Sequence, residues 1–280
     1  MVEPDASELE AAAAAYEDLH VPALFQEWVD RVLDLAEVTA GDHVLDVACG
    51  TGVLARGAAQ RVGAEGLVVG VDPNTGMLGV AKRLGPSIVW RQGVAEDLPV
   101  DDESFDVVVS QFGMMFFTDR RSSILEMARA LVPGGRLAVA VWDALEHSPA
   151  FSREVELLDR LAGGPAADAL RAPFALGDAD RLRSMFEDAG IDSPRVITVA
   201  GKARYPSVRV MVEADLRGWL PVMGVHLTEG TISKVLSAAE TELASFVQPN
   251  GEVVFDAPAH ILLARRPRSE AGEEPPTAAS

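Results

Sequence analysis

The sequence predicts an α/β fold: a doubly wound, mostly parallel sheet of seven strands with helices on both faces. Between residues 43 and 142, five short, continuously apolar segments alternate with segments of helical periodicity. Strands that are apolar throughout are typical of a parallel sheet whose two faces are both covered. Two later strands, at 195–205 and 252–264, have no short helical crossover between them. We therefore expect the last strand to run antiparallel to its neighbours.

The elements of the first half follow one another in a regular order. Apolar residues recur at spacings of three and four from Val21 to Glu37, which predicts an amphipathic helix with Pro22 in its first turn. A weaker helical stretch with Tyr16 and His20 precedes it. The first five strands are predicted at 43–48, 67–71, 88–91, 105–110 and 136–142. Helices are predicted at 53–62, at 74–84, and in a third segment that Asp119 caps and that ends at Pro133-Gly134-Gly135.

The second half is less regular. Helices are predicted at 151–161 and 178–189, with a Gly/Pro/Ala stretch between them. Two more, at 208–220 and 229–246, lie between the last two strands and predict an inserted helical cap. Residues 266–280 are polar and rich in proline, so we expect a disordered tail.

Composition excludes several classes of protein. Hydrophobic residues make up 48% and charged residues 24% of the 280, as in soluble globular proteins. The 24 basic and 43 acidic residues give a net charge of −19, which repels nucleic-acid backbones. No uncharged stretch approaches the roughly 18 apolar residues of a membrane helix. The acidic start and the single cysteine, Cys49, predict a cytoplasmic protein without disulfides.

The segment that carries chemistry is the glycine-rich loop after the first strand, VLDVACGTG at 44–52. Glycines let a backbone approach a ligand closely, and the helix that follows offers free N–H groups and a positive dipole end. Asp72 lies twenty residues beyond Gly52, at the end of the second strand. A carboxylate at that place can accept hydrogen bonds from both hydroxyls of a ribose. The pattern therefore predicts a cofactor that contains a nucleoside.

A dinucleotide is the less favoured cofactor. The segment from Gly50 to Ala55 satisfies the dinucleotide fingerprint with alanine in its third position, but that match is weak. Asp46 lies just before the loop, where its charge would repel a pyrophosphate and attract a cationic group. The chain also lacks a second βαβαβ half for a nicotinamide, and no Lys-Ser or Lys-Thr follows the glycines as in nucleotide hydrolases.

Five motifs in order resemble the class I S-adenosylmethionine-dependent methyltransferases, and among them the small-molecule branch of the ubiquinone/menaquinone-biosynthesis type. The motifs are VLDVACGTG, VDPNTGML, GVAEDLP, FDVVVSQFGMMFFTD and LVPGGRLAVAVW. The resemblance is strong over residues 40–143, moderate over the N-terminal helix and 173–190, and almost absent over 206–250. It implies a Rossmann-like fold and S-adenosyl-L-methionine as cofactor.

The resemblance also implies which residues bind the cofactor. Ala48, Gly50 and Gly52 would line its methionine and ribose, Asp46 would support its amino end, and Asp72 would bind the ribose hydroxyls. The adenine would lie between Pro73 and Met77 and the segment of Gly93, Val94, Ala95 and Glu96. Val94 replaces the aspartate that usually receives the adenine amino group, so backbone groups of Ala95 and Glu96 would take that role.

The strand end at 110–117 would face the methyl group. Ser110 and Gln111 would lie beneath the sulfonium, with Phe112, Met115 and Phe116 along the methyl path, and Tyr16 could close over the cofactor carboxylate. The acceptor pocket is expected to be largely apolar, and its predicted lining consists of Phe112, Met114, Met115, Phe116, Trp142, Trp219 and Met223. No catalytic residue can be assigned, since His20, His147 and His226 are equal candidates for a general base. A packing role is favoured for Cys49, and no metal is expected because the five histidines lack ligand spacing.

We therefore expect one domain with a helical lid. Residues 1–40 would form an N-terminal lid and 41–205 the cofactor-binding core, with a lid insertion at 144–177. Residues 206–250 would form the cap and 251–265 the final core strand. The predicted reaction is in-line methyl transfer to a hydrophobic or aromatic small molecule such as a phenol, a quinol or a polyketide-like metabolite. Three alternatives stay open: an enzyme of this fold that uses the cofactor without methyl transfer, as a cyclase or decarboxylase, a non-catalytic cofactor-binding module, and a nicotinamide oxidoreductase. No nucleic-acid or membrane partner is expected.

Overall fold

The computed structural model describes residues 6–268 and contains a central seven-stranded sheet in the order β3-β2-β1-β4-β5-β9-β6. Its strands are β1 (His43–Val47), β2 (Leu67–Asp72), β3 (Val89–Gln92), β4 (Phe105–Gln111), β5 (Leu131–Trp142), β6 (Arg195–Val199) and β9 (Ala259–Arg265). The last strand, β9, is antiparallel to both of its neighbours, while β1 to β5 pair in parallel. The predicted fold class is confirmed.

The described helices cover the sheet and build a layer above its carboxyl edge. They are α1 (Ala6–His20), α2 (Gln26–Leu35), α3 (Val53–Val62), α4 (Thr75–Leu84), α5 (Arg120–Ala130), α6 (Pro149–Leu161), α7 (Gly164–Arg171), α8 (Ala179–Asp188), α9 (Val208–Ala214), α10 (Leu220–Val222) and α11 (Glu229–Glu242). The Asp119 carboxylate caps α5 as predicted, accepting the N–H of Ser122 at 3.1 Å. None of the helices in residues 6–268 has the length and apolar character needed to cross a membrane.

The two predicted late strands were each too long. The segment 195–205 divides into β6 and β7 (Lys202–Tyr205), and 252–264 divides into β8 (Val253–Asp256) and β9. Strands β7 and β8 form a separate two-stranded sheet. The two segments are interrupted at the same level. There the Ala257 N–H donates to Gly201 O at 2.9 Å, and Pro258 has no N–H to continue the ladder.

Other boundaries also differ from the prediction. Helix α5 ends at Ala130, and Pro133-Gly134-Gly135 lie inside β5, where the pairing register with β4 shifts. The Gly/Pro/Ala stretch contains α7, which periodicity did not reveal because the helix has only eight residues. The predicted helix 229–246 ends at Glu242 and continues as a 3₁₀ turn, Ala244–Phe246. Most of the predicted disordered tail, 269–280, lies outside the described residues.

Two predicted helices are interrupted by π-helical turns. The segment 21–37 begins with a π-helical turn, Val21–Phe25, before α2 starts at Gln26. The segment 208–220 contains a second one, Asp215–Trp219, between α9 and α10. Such turns are rare and are frequent at functional sites, because the extra residue turns side chains to positions that a regular helix does not offer.

Candidate active site

A cleft of about 410 Å³ lies at the carboxyl ends of β1, β2 and β4. Open α/β sheets bind ligands at this edge, and the volume suits a small-molecule ligand. Most of the predicted cofactor-binding residues line it: Tyr16, Asp46, Ala48, Gly50, Asp72, Pro73, Met77, Gly93, Val94, Ala95, Glu96, Gln111 and Phe112. Asn74, Phe25, Phe117 and Thr118 line it as well and were not predicted.

The backbone at the floor of the cleft is strained at two adjacent strand ends. Ala48 follows β1 with φ of 59°, and Phe112 follows β4 with φ of 56°. A left-handed conformation costs a non-glycine residue on the order of 1 to 3 kcal/mol, and such residues concentrate at ligand sites. Gly50, at φ of 54°, is the residue of the same loop whose N–H points toward Asp72.

Gly52 does not line the cleft, contrary to its predicted place beside the cofactor. It precedes α3 with φ of 85°, and a Cβ atom there would lie 2.3 Å from Cη2 of Trp90. Trp90 packs beneath the loop and donates its indole N–H to Gly85 O at 2.9 Å. The absence of a side chain at Gly52 therefore makes room for the tryptophan that supports the loop.

Ser110 and Met115 are also absent from the cleft wall. Ser110 is fully buried in β4, and its hydroxyl has no hydrogen-bond partner within the described chain. A 3₁₀ turn, Met114–Phe116, directs Met114 and Met115 into the core, and Phe116 and Phe117 form the wall instead. The prediction that Met114 and Met115 line the acceptor pocket is therefore wrong.

Two carboxylates make the cleft favourable for a cation. Asp72 accepts the N–H groups of Gly50 and Asn74, each at 2.8 Å, and burial raises its pKa. Asp46 is 1% exposed, and its Oδ2 has no hydrogen-bond partner among residues 6–268. Burial raises the pKa of Asp46 to about 8. A positively charged ligand would compensate both carboxylates, because charges interact strongly where water is excluded.

One end of the cleft is formed by the segment 93–96 and the start of α4. Glu96 Oε1 accepts the N–H groups of Thr118 and Asp119 at 2.7 and 3.1 Å, so this carboxylate holds two loops together. Val94 is 44% exposed beside it. Asn74 caps α4 by accepting the N–H of Gly76 and Met77. A polar residue directly before a helical pattern is the signal that could have added Asn74 to the predicted site.

The N-terminal helix α1 closes the cleft from above. It packs so tightly on α4 that a Cβ atom at Gly76 would lie 2.4 Å from Leu9 O. Ion pairs from Glu17 to Arg56 at 2.6 Å and from Glu10 to Arg83 at 3.0 Å connect it to the core. Tyr16, on the underside, stacks on Phe25 with ring centroids 5.3 Å apart.

A second, smaller cavity of about 90 Å³ adjoins the cleft. Its walls are largely aromatic, and several residues border both spaces: Tyr16, Phe25, Phe112, Phe116 and Trp219. Phe112 stacks face to face on Trp142, with centroids 3.8 Å apart and planes 9° apart. We call this space the aromatic pocket; its remaining wall residues are His20, Leu24, Trp142, Phe151, Leu170, Pro173, Phe174 and Asp215.

The three candidate histidines have different surroundings. His20 borders the aromatic pocket, and burial lowers its pKa to about 4, so it is neutral at ordinary pH. His147 is 61% exposed outside the pocket and bonds the Asp143 carboxylate through Nδ1 at 2.9 Å. His226 is exposed in the loop after α10. Cys49 is buried in the loop, and its burial raises the pKa of the thiol, which suits the predicted packing role.

Within residues 6–268, no three histidine, cysteine, aspartate or glutamate side chains are grouped so that they could hold a metal ion.

Comparison with known proteins identifies the class. Residues 45–139 match the model of a family described as a methyltransferase domain. The chain is 38% identical over 202 residues to the ubiquinone/menaquinone biosynthesis C-methyltransferase UbiE of Hahella chejuensis, covering 65% of this chain and 81% of that protein. The corresponding protein of Pseudoalteromonas translucida is 32% identical over 210 residues, with 68% and 84% covered.

Solved structures share the fold. An Anabaena variabilis protein described as a putative methyltransferase from an antibiotic biosynthesis pathway superposes with a TM-score of 0.63 at 16% identity, covering 86% of this chain and 97% of that one. A phosphoethanolamine N-methyltransferase 2 of Haemonchus contortus, in complex with S-adenosyl-L-methionine, gives 0.59 at 17% identity, covering 92% and 57%.

The chain belongs to the class I S-adenosylmethionine-dependent methyltransferases. Within that class it is similar to the UbiE proteins, and it is an enzyme that methylates a small molecule with S-adenosyl-L-methionine as donor. The cleft fits a donor of this chemistry, because the unpartnered Oδ2 of Asp46 and the carboxylate of Asp72 both suit its positive charge. The predicted family and cofactor are thus confirmed.

Proposed function

We propose that this methyltransferase acts on a hydrophobic or aromatic small molecule, such as a phenol, a quinol or a polyketide-like metabolite. The observation that carries the proposal is the aromatic pocket, which shares Phe112 and Phe116 with the wall of the cofactor cleft. Aromatic side chains bind flat apolar rings by stacking and by edge contacts. The name of the UbiE relatives, which specifies ubiquinone and menaquinone biosynthesis, agrees with a ring-shaped acceptor.

We further propose how the cleft holds its cofactor. The carboxylate of Asp72 would accept hydrogen bonds from the ribose hydroxyls, and Asp46 would face the positively charged amino-acid end. The adenine would lie between Pro73 and Met77 on one side and the 93–96 segment on the other. In this arrangement Gln111 and Phe112, at the end of β4, would face the methyl group, and Phe112 also borders the aromatic pocket.

The chain contributes to the reaction mainly by position. The bound donor supplies a reactive methyl group, and holding an acceptor atom in line with it at roughly 3 to 3.5 Å provides a large part of the acceleration. The stacked rings of Phe112 and Trp142 would fix the plane of the acceptor. Burial of the pocket beneath α1, α7 and the π-helical turn Asp215–Trp219 would exclude water from the reacting atoms.

We also propose that the helical layer is a lid. It would consist of residues 6–40, 144–177 and the 206–250 cap, with 41–205 and 251–265 as the core; residues 1–5 of the predicted lid lie outside the described residues. Tyr16 and Trp219, from two parts of this layer, border both the cleft and the aromatic pocket. Binding of S-adenosylhomocysteine should therefore slow amide hydrogen exchange in α1 and in 206–222 more than in α8.

The proposed function is tested by incubating the enzyme with methyl-labelled S-adenosylmethionine and a panel of phenols, naphthols and reduced quinones. We expect label in at least one hydroxylated aromatic compound and none in peptides or nucleic acids of the same panel. Transfer only to peptides or nucleic acids would overturn the proposal. Product without consumption of the methyl donor would indicate a cyclase or decarboxylase, and tight cofactor binding without turnover of any compound would indicate a binding module.

A further inference from the structure

A buried acid lies in the wall of the aromatic pocket. Asp215 is the first residue of the second π-helical turn and borders the pocket but not the cleft. Asp215 is 4% exposed, and its Oδ2 has no hydrogen-bond partner within the described chain. A buried carboxyl oxygen without a partner is costly, so a residue of this kind points to a ligand.

Two further polar side chains accompany Asp215. Glu154 of α6 is fully buried, and neither of its carboxyl oxygens has a hydrogen-bond partner among residues 6–268. The hydroxyl of Tyr205, in β7, is likewise buried and unpartnered there. We call Asp215, Glu154 and Tyr205 the buried acid cluster. No arginine or lysine of the described chain forms an ion pair with either acid of this cluster.

Both acids hold their protons more strongly than an exposed carboxyl group does. Burial raises the pKa of Asp215 to about 8. Burial, and next the charge of Asp215, raise the pKa of Glu154 well above its ordinary value. A carboxyl group whose pKa lies near 8 can exchange a proton with a phenolic hydroxyl, whose pKa is about 10.

We propose that Asp215 binds a hydroxyl group of the aromatic acceptor and takes the proton of that hydroxyl during methyl transfer. This inference rests on the proposed function and names the chemical class of its acceptor: a ring that carries at least one ionisable hydroxyl. Asp215 is then a catalytic residue.

The step balances in atoms and charge. The O–H bond of the acceptor breaks and its proton passes to the Asp215 carboxylate. The electron pair left on the acceptor forms the new bond to the methyl carbon, and the pair of the broken carbon–sulfur bond stays on sulfur. The sulfonium cation of the donor, the Asp215 carboxylate and the neutral acceptor thus give neutral S-adenosylhomocysteine, the neutral carboxylic acid of Asp215 and the methylated product. Asp215 later releases its proton to solvent.

The other titratable groups around the pocket do not compete for this role. His20, at the end of α1, is neutral because burial lowers its pKa to about 4, so it is a weak base. Burial raises the pKa of Tyr16 and of Tyr205 far above neutrality, so both phenols stay protonated. Asp215 is therefore the group facing the pocket that changes its charge between pH 6 and 9.

The first experiment measures binding without turnover. Benzene-1,4-diol and its dimethyl ether are titrated into enzyme saturated with S-adenosylhomocysteine and followed by ligand-observed NMR. We expect the diol to bind at least tenfold more tightly than the ether, and Asp215→Leu to remove this difference. Glu156→Gln, an exposed neighbour of Glu154 on α6, is the control that should leave it unchanged. Equal affinity of diol and ether for the unmodified enzyme would contradict the proposal.

The second experiment measures the proton. The infrared band of protonated carboxyl groups is recorded from pH 6 to 9 for the enzyme and for Asp215→Asn. We expect the difference between the two to contain one band that disappears with a midpoint near pH 8. The difference isolates Asp215 from Asp46, whose pKa burial also raises to about 8. If the difference contains no such band, Asp215 is not the proton acceptor.

The third experiment separates this inference from the proposed function. With any hydroxylated aromatic acceptor that the enzyme methylates, Asp215→Asn should lower kcat about 100-fold while KM changes less than threefold, because the amide still bonds the hydroxyl. The rise of activity with pH around pH 8 should also disappear. If the variant keeps the kcat and pH profile of the enzyme, the inference fails while the proposed function stands. If no hydroxylated aromatic compound is methylated, the proposed function fails. The diol titration and the infrared band then still test whether Asp215 binds a hydroxyl group and exchanges a proton.

Discussion

The cofactor cleft and the aromatic pocket share a wall but are built in different ways. Apart from Tyr16, Phe25 and the 219–223 segment, the cleft is formed by residues 46–118, which follow the ends of adjacent parallel strands. The pocket gathers side chains from α1, both π-helical turns, α6, α7 and two strand ends between residues 16 and 219. A local motif therefore specifies the first space, whereas tertiary packing specifies the second.

Asp72 of the cleft differs from the acids of the buried acid cluster in its hydrogen-bond donors. In the cleft, Asp72 is bonded by two backbone N–H groups at 2.8 Å. In the buried acid cluster, no such donor reaches either oxygen of Glu154 or Oδ2 of Asp215 in the described chain. A carboxylate that is prepared by backbone donors can stay ionised and bind, whereas one without donors keeps its proton and can exchange it. Asp72 is therefore prepared to bind, whereas Asp215, like Asp46 of the cleft, can exchange a proton.

The largest expected effect is a loss of cofactor affinity in the cleft. Asp72→Ala should weaken the affinity for S-adenosylhomocysteine about 100-fold, or roughly 3 kcal/mol, because hydrogen bonds to a charged group are lost together with the support of the Gly50 loop. Calorimetric titration measures the Kd. Asp101→Ala, in an exposed turn, is the control. An unchanged Kd for Asp72→Ala would remove the cleft from the account of cofactor binding.

The next effect is a loss of stability from substitutions in the glycine-rich loop after β1. Gly52→Ala should lower the free energy of unfolding by about 2 kcal/mol, since it combines a left-handed backbone with a clash against Trp90. Gly50→Ala shares the left-handed backbone but has open space around its Cβ, and we expect about 1 kcal/mol. Urea denaturation compares the two. Equal losses would show that Trp90 does not support the loop.

A change in the pocket should leave the cofactor unaffected. Trp142→Leu removes the ring that stacks on Phe112, so we expect KM for an aromatic acceptor to rise about tenfold, or roughly 1.4 kcal/mol. The Kd of S-adenosylhomocysteine should change less than twofold. Phe246→Leu removes an aromatic pair outside both spaces and serves as the control. A parallel loss of cofactor affinity would mean that the two spaces do not act separately.

The smallest effect is a proton released on binding. Because burial raises the pKa of Asp46 to about 8, this acid is mostly protonated at pH 7 in the free enzyme. A cation beside it favours the ionised form, so S-adenosylmethionine should release a fraction of a proton at pH 7 and almost none at pH 9. Calorimetry in buffers of different ionisation enthalpy measures the release. S-adenosylhomocysteine, whose sulfur is uncharged, should release less, and Asp46→Asn should abolish the difference.

The sequence predicted well those features that depend on neighbours along the chain. The seven strands, the antiparallel last strand and the placement of Asp72 at the end of β2 all follow from apolar segments and their ends. The place of Gly52 could not be predicted, because its reason is Trp90, a contact 38 residues away that only packing creates. The inward turn of Met114 and Met115 depends on a single 3₁₀ turn that has no signature in the sequence.

The buried acid cluster did leave a signal, which lies in the register of its helices. Val208, Val212 and Asp215 fall at positions i, i+4 and i+7, so the acid lies on the apolar face rather than opposite it. Glu154 occupies the same kind of position three residues after Phe151. What periodicity could not show is the π-helical turn, whose extra residue brings Asp215 and Trp219 to the same pocket.

A crystal structure with S-adenosylhomocysteine and benzene-1,4-diol is the most direct test that cleft and pocket form one methyl-transfer site. It should show the ribose hydroxyls on the Asp72 carboxylate, the sulfur directed toward Phe112 and Phe116, and the diol in the aromatic pocket with one hydroxyl on Asp215. A cofactor bound elsewhere, or a pocket whose occupant cannot reach the sulfur, would contradict the account.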